Sequence, residues 1–192
     1  MKRLVFATHN PGKLKELQAL MPKEINLESL DDIGCHEDIP ETEDSFEGNA
    51  HLKANYVKTT YGLPCFADDS GLVVDALNGA PGVYSARYAG PGCNSEDNMD
   101  KLLNELDGTT DRSARFVCVI ALLINGEKHF FEGKCEGIII AERQGDDGFG
   151  YDPIFQPRGY DRTFAQMSME EKSAISHRGK AVKQLVEFLR NI

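Results

Sequence analysis

Two adjacent carboxylates, Asp68 and Asp69, close the apolar run that ends at Phe66-Ala67, and Ser70-Gly71 follow them. A second apolar run, Leu72 to Leu77, leads into Asn78-Gly79. The pattern predicts a strand, an acidic turn, a second strand and a tight turn. Each carboxylate of such a pair disfavours ionisation of the other. A chain that places both at a strand end usually has a cation to offset them, and hard oxygen donors of this kind suit Mg²⁺. Taken alone, an Asp-Asp pair in a loop more often caps and solvates a turn, so its meaning depends on what else the chain supplies.

Three other stretches supply groups that suit an anion or a flat ligand. Thr8-His9-Asn10-Pro11-Gly12-Lys13 follows an opening strand over Arg3 to Ala7 and leads into a helix. Asn10 is a good N-cap, and Pro11 suits the first helical position. Free N–H groups at that helix start, together with Lys13, would attract an anion. The glycine spacing is not that of a Walker A loop, and an ordinary capped helix reads equally well. Near the C-terminus, Ser176-His177-Arg178-Gly179-Lys180 opens the last helix with basic residues. The helix dipole favours acids there, so basic residues in that first turn make sense if an anion lies among them. Between these, Gly145-Asp146-Asp147-Gly148-Phe149-Gly150-Tyr151-Asp152 is a glycine-rich loop with two aromatics. Glycines let a flat ligand approach the backbone, and aromatic faces stack on nucleobases. On this loop alone, a turn whose Phe149 and Tyr151 enter the core is the commoner outcome.

Elements must hold these groups. The first helix should turn Leu14, Leu17, Leu20 and Met21 inward and end before Pro22. After an irregular acidic connection from Asp31 to Pro40, Glu41 to Glu47 should open a second helix, with Asp44 and Glu47 spaced as a capping box. Its stripe is Phe46, Ala50, Ala54, Val57 and Tyr61, with Asn49 and Lys53 sharing one edge beside it. Gly79 to Gly90 reads as a long loop. Ser95 should cap a helix that runs to Leu106. Arg115 to Ile124 is a continuous apolar run and the best candidate for a central strand. Asn125-Gly126 signals a hairpin, followed by strands over Glu127 to Phe131 and Gly137 to Glu142. Ser168 and Glu171 form a capping box for a short helix bearing Lys172, and the last helix buries Val182, Leu185, Val186 and Leu189. Lys13, Lys53 and Lys172 have no evident structural task.

The 192 residues suit one domain, residues 1–192, with room for two lobes. A net charge of −10 argues against general nucleic-acid binding, though a local cluster of cations can still hold an anionic small molecule. Five cysteines with no C-x-x-C pair read as reduced thiols of a cytoplasmic protein. No signal peptide is expected, and no apolar run is long enough for a bilayer.

Six segments together resemble the inosine triphosphate pyrophosphatase family, also called dITP/XTP pyrophosphatases. They are Thr8-x-Asn10-x-x-Lys13, Ser45-Phe46-x-x-Asn49-Ala50-x-x-Lys53-Ala54, Ala67 to Leu72, Gly79 to Arg87, Gly148 to Pro153, and Glu171 to Gly179. They occur in the family's order over nearly the whole chain. The resemblance implies an α/β fold, an elongated mixed β-sheet flanked by helices in two lobes with a central cleft, and a homodimer. It implies hydrolysis of non-standard purine nucleoside triphosphates (ITP, dITP, XTP) to the monophosphate and pyrophosphate, with Mg²⁺ or Mn²⁺ as cofactor. It also carries over roles. Thr8, Asn10, Lys13 and Lys53 would line the triphosphate, Asn49 would also bind substrate, and Ser70 would touch a phosphate. Glu41 and Asp69 would serve the metal, with Asp69 as base for the attacking water and Asp68 beside it. Phe149 would stack on the base, Gly150, Tyr151 and Asp152 would complete its pocket, and Lys172, His177 and Arg178 would close the site. His9 occupies a variable position of the first motif and receives no role. Two rivals stand beside this reading: a Maf-like nucleotide pyrophosphatase of other base preference, and a non-catalytic nucleotide sensor. The aromatic loop and the Ser-His-Arg segment argue against the first. A sensor would not need Asp69 and Glu41 together.

Overall fold

A computed structural model describes residues 2–192, the side chain of Glu16 apart. Six strands form one mixed sheet in the order β2-β1-β3-β4-β5-β6. β1 (Lys2–Phe6) runs parallel to β2 (Ile25–Glu28) and to β3 (Cys65–Val74), with Val5 opposite Cys65. β4 (Ser113–Ile124) and β5 (Glu127–Ile139) are joined by Asn125-Gly126, both at positive φ as a two-residue hairpin turn demands. β6 (Phe155–Pro157) closes the sheet antiparallel to β5. The helices are α1 (Pro11–Leu20), α2 (Phe46–Tyr61), α3 (Ser95–Glu105), α4 (Met169–Ile175) and α5 (His177–Arg190). Short 3₁₀ turns occupy Asp31–Ile33, Asp75–Leu77, Gly82–Arg87, Asp152–Ile154 and Phe164–Gln166. The α/β class read from the sequence is the class observed. Among the described residues no helix is long and apolar enough to cross a membrane.

The largest departure concerns the acidic pair. β3 continues through Asp68-Asp69-Ser70-Gly71 without a turn. Turn chemistry is a local preference. Here β3 pairs with β1 at Cys65 and Phe66 and with β4 on its other side, and strand pairing overrides the local signal. β2, absent from the sequence reading, pairs along β1 from Lys2 to Val5. The strands expected at Glu127 to Phe131 and Gly137 to Glu142 are one strand, β5. Two caps move by one residue. Ser45 caps α2 by accepting the Gly48 N–H, which displaces the Asp44–Glu47 box, and Asn94 rather than Ser95 caps α3. Leu20 is exposed, so α1 buries Leu17 and its C-cap Met21 instead.

The chain divides into two compact units. The first gathers the chain through Asp69 with Val119–Glu132 and Ala181–Ile192. Its core joins Val5, Cys65 and Ala67 of the strands to the small residues Ala50, Ala54 and Val57 of α2. Alanine on that face brings the helix backbone close to the sheet, and Phe6 stacks on Phe66 with ring centroids 4.6 Å apart. The second unit comprises Ser70–Cys118 and Gly133–Lys180. Met99, Leu102 and Leu106 from α3 and its C-cap share its core with Phe116, Phe155 and Phe164. Those three rings contact one another at centroid distances of 4.7–5.8 Å.

Candidate active site

The predicted residues fall into two clusters, one in each unit. In the first unit, Asn10 caps α1 by accepting from the Gly12 and Lys13 N–H groups, at 2.9 and 3.1 Å. The Thr8 hydroxyl accepts from the Asn10 N–H at 3.1 Å. Two of the backbone donors expected to greet an anion are thus engaged by the cap itself. What the loop presents is chiefly Lys13, whose Nζ lies 3.5 Å from Asp68 Oδ2.

Asp68 and Asp69 are each only 8% exposed, a low value for ionisable groups. Their position in mid-strand rather than in a turn is what buries them. Lys53 reaches in from α2 and donates to Glu41 Oε1 at 2.6 Å. Burial is the largest single influence on Lys53 and would lower its pKa. Asp68, Glu41 and Asp69 together outweigh it, and the net shift is upward. Asn49, one turn before Lys53 and fully buried, accepts from the Glu43 N–H at 2.9 Å and so ties the strand of coil carrying Glu41 to the helix. Its amide Nδ2 is buried with no hydrogen-bond partner among the described residues. A donor left in that state costs about 1–3 kcal/mol, which an incoming acceptor would recover. The cluster therefore combines carboxylate oxygens, two ammonium groups and an amide donor.

These oxygens fit a hard divalent cation by type. Among the described residues no three His, Cys, Asp or Glu side chains converge as a metal cage. Mg²⁺ is ordinarily held by one or two carboxylates with waters and substrate phosphates, so the donor set present is of the right kind.

In the second unit, the Asp152 carboxylate organises the glycine-rich loop. Its Oδ2 accepts from the Phe149 N–H at 2.9 Å and from Lys172 Nζ at 2.5 Å. Gly148 has φ +79°, and a Cβ there would collide with that carboxylate, which explains the glycine. Phe149 is 68% exposed, with Lys172 Nζ 4.7 Å from its centroid. Tyr151 does the opposite. It is 4% exposed, and its hydroxyl donates to the Ser85 carbonyl at 2.6 Å. Its hydroxyl thus anchors the loop from beneath. Gly150, at φ +61°, sits between the outward and the inward aromatic.

Ser176 begins α5 by accepting the Gly179 N–H at 3.0 Å. Gly179 has no room for a side chain, because a Cβ would run into the Ser173 carbonyl. That close approach of α5 to α4 sets where His177 and Arg178 point. The His177 ring stacks on Phe116 at 4.8 Å and 13°. Arg178 Nη2 donates to Ser70 Oγ at 3.5 Å. Phe116 and Ser85 carry no polar side-chain signature of function, and only their contacts reveal that they support His177 and Tyr151. Each lysine read as lacking a structural task has a carboxylate partner: Lys13 with Asp68, Lys53 with Glu41, and Lys172 with Asp152.

The Ham1 family profile matches residues 4–188. The chain is 59% identical to a dITP/XTP pyrophosphatase of Flavobacterium psychrophilum, over 98% of this chain and 100% of that one. It is 46% identical to the dITP/XTP pyrophosphatase of Bacillus subtilis, over 98% of each. The solved structure of the Staphylococcus aureus Ham1 protein superposes with a TM-score of 0.95 at 43% identity, covering 99% of each chain.

Proposed function

This chain belongs to the Ham1 family, and from that premise we propose how its two clusters divide the work on a nucleotide. The activity is that of a nucleoside triphosphate pyrophosphatase acting on non-standard purine nucleotides, as the names of relatives such as the Flavobacterium and Bacillus enzymes state for those proteins. In this reading Thr8, Asn10, Lys13, Asn49 and Lys53 receive the triphosphate, with Ser70 on a phosphate. Glu41 and Asp69 would hold Mg²⁺ or Mn²⁺, which when bound neutralises charge on the phosphate oxygens. Asp69 takes a proton from a water whose oxygen attacks the α-phosphorus. The bond from that phosphorus to the bridging oxygen breaks, and pyrophosphate leaves. Asp68 keeps Lys13 oriented, which leaves Asp69 as the base.

Phe149 stacks on the purine, with Lys172 held against the same ring by Asp152. Arg178, His177 and backbone N–H groups of the loop read the base edge. The N–H groups of Phe149 and Asp152 are engaged inside the loop, which leaves those of Gly150 and Tyr151. We also propose that the chain acts as a single domain of two lobes, as a homodimer in the cytoplasm. The resemblance in motif order supports these three points.

The observation that carries the proposal is the buried Asp68–Asp69 pair in the middle of β3, offset by Lys13 and Lys53. The test is pyrophosphate release from ITP, XTP, GTP and ATP by the parent and by Asp69→Asn. The parent should favour ITP and XTP. Loss of a general base alone should slow the variant by about 10²–10⁴-fold, with a thermal melt near that of the parent. Near-parental turnover in the variant would remove Asp69 from the chemistry.

A further inference from the structure

His9 stands inside the proposed phosphate loop, yet none of the phosphate or metal roles falls on it. Its ring faces the Asp31–Glu37 segment of the same unit. Nε2 lies 3.1 Å from the Glu37 carbonyl oxygen, and Nδ1 lies 3.2 Å from Asp31 Oδ1. A carbonyl oxygen only accepts hydrogen bonds, and so does an ionised carboxylate. Neutral imidazole has one N–H and one lone pair, so one of the two contacts would set a lone pair against an oxygen. Only the imidazolium donates at both ends.

The carboxylates around the ring favour that form, while His36 competes for one of them. His36 Nδ1 shares the same Asp31 oxygen at 3.3 Å, and Asp38 adds negative charge nearby. The Glu37 side chain is turned away, accepting from the Tyr56 hydroxyl at 2.7 Å, while the Cys35 thiol lies 3.9 Å from the same Glu37 carbonyl oxygen that faces His9. The bond to the Glu37 carbonyl is the largest influence raising the His9 pKa above 6.5; partial burial opposes it, and Asp31 adds to the rise. The backbone makes a second tie between the same segments, because the Thr8 carbonyl accepts from the Leu30 N–H at 3.1 Å.

We propose that His9 is a protonated clamp that holds the Thr8–Lys13 loop against the Asp31–Glu37 segment and thereby sets how well the loop receives phosphate. The inference rests on the reading of that loop as the phosphate loop. His9 is a positioning residue: it acts through Thr8, Asn10 and Lys13. Because its folded pKa is raised, the clamp is complete below the ordinary histidine value of 6.5 and is released as pH rises through the folded value.

The experiment has two arms. Ring resonances of the parent, His9→Gln and Asp31→Asn are followed by NMR against pH, His9 being assigned by its loss in the first variant. The His9 ring should titrate above 6.5 in the parent and lower in Asp31→Asn. In the second arm, KM and kcat for ITP are measured from about pH 6 to about pH 9 for the parent, His9→Gln and His9→Arg. The glutamine variant should raise KM about 3- to 10-fold at the acid end, with the gap closing at the alkaline end and kcat moving less. His9→Arg, a fixed cation with several donors, should keep KM low throughout. A ratio of KM values independent of pH, or a His9 ring titrating at or below 6.5, would overturn the clamp. Lys13→Ala is the control: parental KM there would overturn the loop's phosphate role, whatever the ring titration shows of the clamp.

Discussion

Lys53 keeps its charge in surroundings that disfavour charge. Burial would neutralise it, and Glu41, Asp68 and Asp69 reverse the sign. A lysine whose folded pKa is raised contributes stability that is fully present below its unfolded value, about 10.4, and is lost as pH rises through the folded value. Lys53→Met should therefore lower stability by about 1–3 kcal/mol at neutral pH, because it removes the ammonium group that bonds Glu41 and offsets Asp68 and Asp69. The difference from the parent should shrink above about pH 10.5. Urea melts of both proteins across that range decide it, and a pH-independent difference would mean that Lys53 serves by packing alone. The proposed base choice also rests on single residues. Hypoxanthine and xanthine offer an acceptor oxygen where adenine offers an amino donor, and a pocket built of donors can discriminate by about 10⁴-fold. Arg178→Ala should lose more activity on ITP than on ATP. Phe149→Ala should weaken both alike, since stacking ignores exocyclic groups. Competition kinetics with both nucleotides test the pair, and equal losses in the Arg178 variant would confine that side chain to phosphate.

At the scale of elements, the positions that were hardest to read are those where neighbours override local chemistry. Asp68-Asp69-Ser70-Gly71 has every mark of a turn, and it is strand because it continues a strand already paired with β1 at Cys65 and Phe66 and with β4 on its other side. The error matters for function, since a turn would leave the carboxylates solvated, whereas β3 buries them. Caps were legible to within one residue, because Ser45 and Asn94 stand beside residues that cap equally well in isolation. Tyr151 is hard to read for a different reason. The Gly-Phe-Gly-Tyr spacing offers both rings to a ligand, and only the Ser85 carbonyl beneath the loop distinguishes them. A test follows from that contact. Tyr151→Phe keeps the ring and removes the hydroxyl, leaving the Ser85 carbonyl without that donor. It should cost about 1–3 kcal/mol of stability and leave the ratio of ITP to ATP turnover unchanged. A change in that ratio with parental stability would place the Tyr151 hydroxyl against the base.

Over the whole molecule, acids outnumber bases by 31 to 21, yet the candidate site balances its charge locally. Glu41, Asp68 and Asp152 each have a lysine within 2.5–3.5 Å. The sequence displays these residues and their motif order. It does not display the pairing, because the partners come from separate elements and meet only through the fold. The pairing separates two dependences on metal that are often found together. If lysines already offset the carboxylates, the fold does not need a cation to relieve acid repulsion, although the reaction does. Adding a chelator to the nucleotide-free protein should then move the thermal midpoint by less than about 2 °C, as expected for well under 1 kcal/mol in a chain of this length. The same chelator should abolish pyrophosphate release. Non-hydrolysable ITP at a hundredfold excess over its Kd stabilises by about 2.7 kcal/mol, which in a domain of this size raises the midpoint by about 5–10 °C. Most of that rise should vanish with the metal, since the phosphates lose their counter-charge. Calorimetric scans with and without nucleotide and chelator give all four states. A large fall in the midpoint on chelation alone would show that Lys13 and Lys53 do not balance the carboxylates, and that a bound cation holds β3 and the Glu41 segment in place.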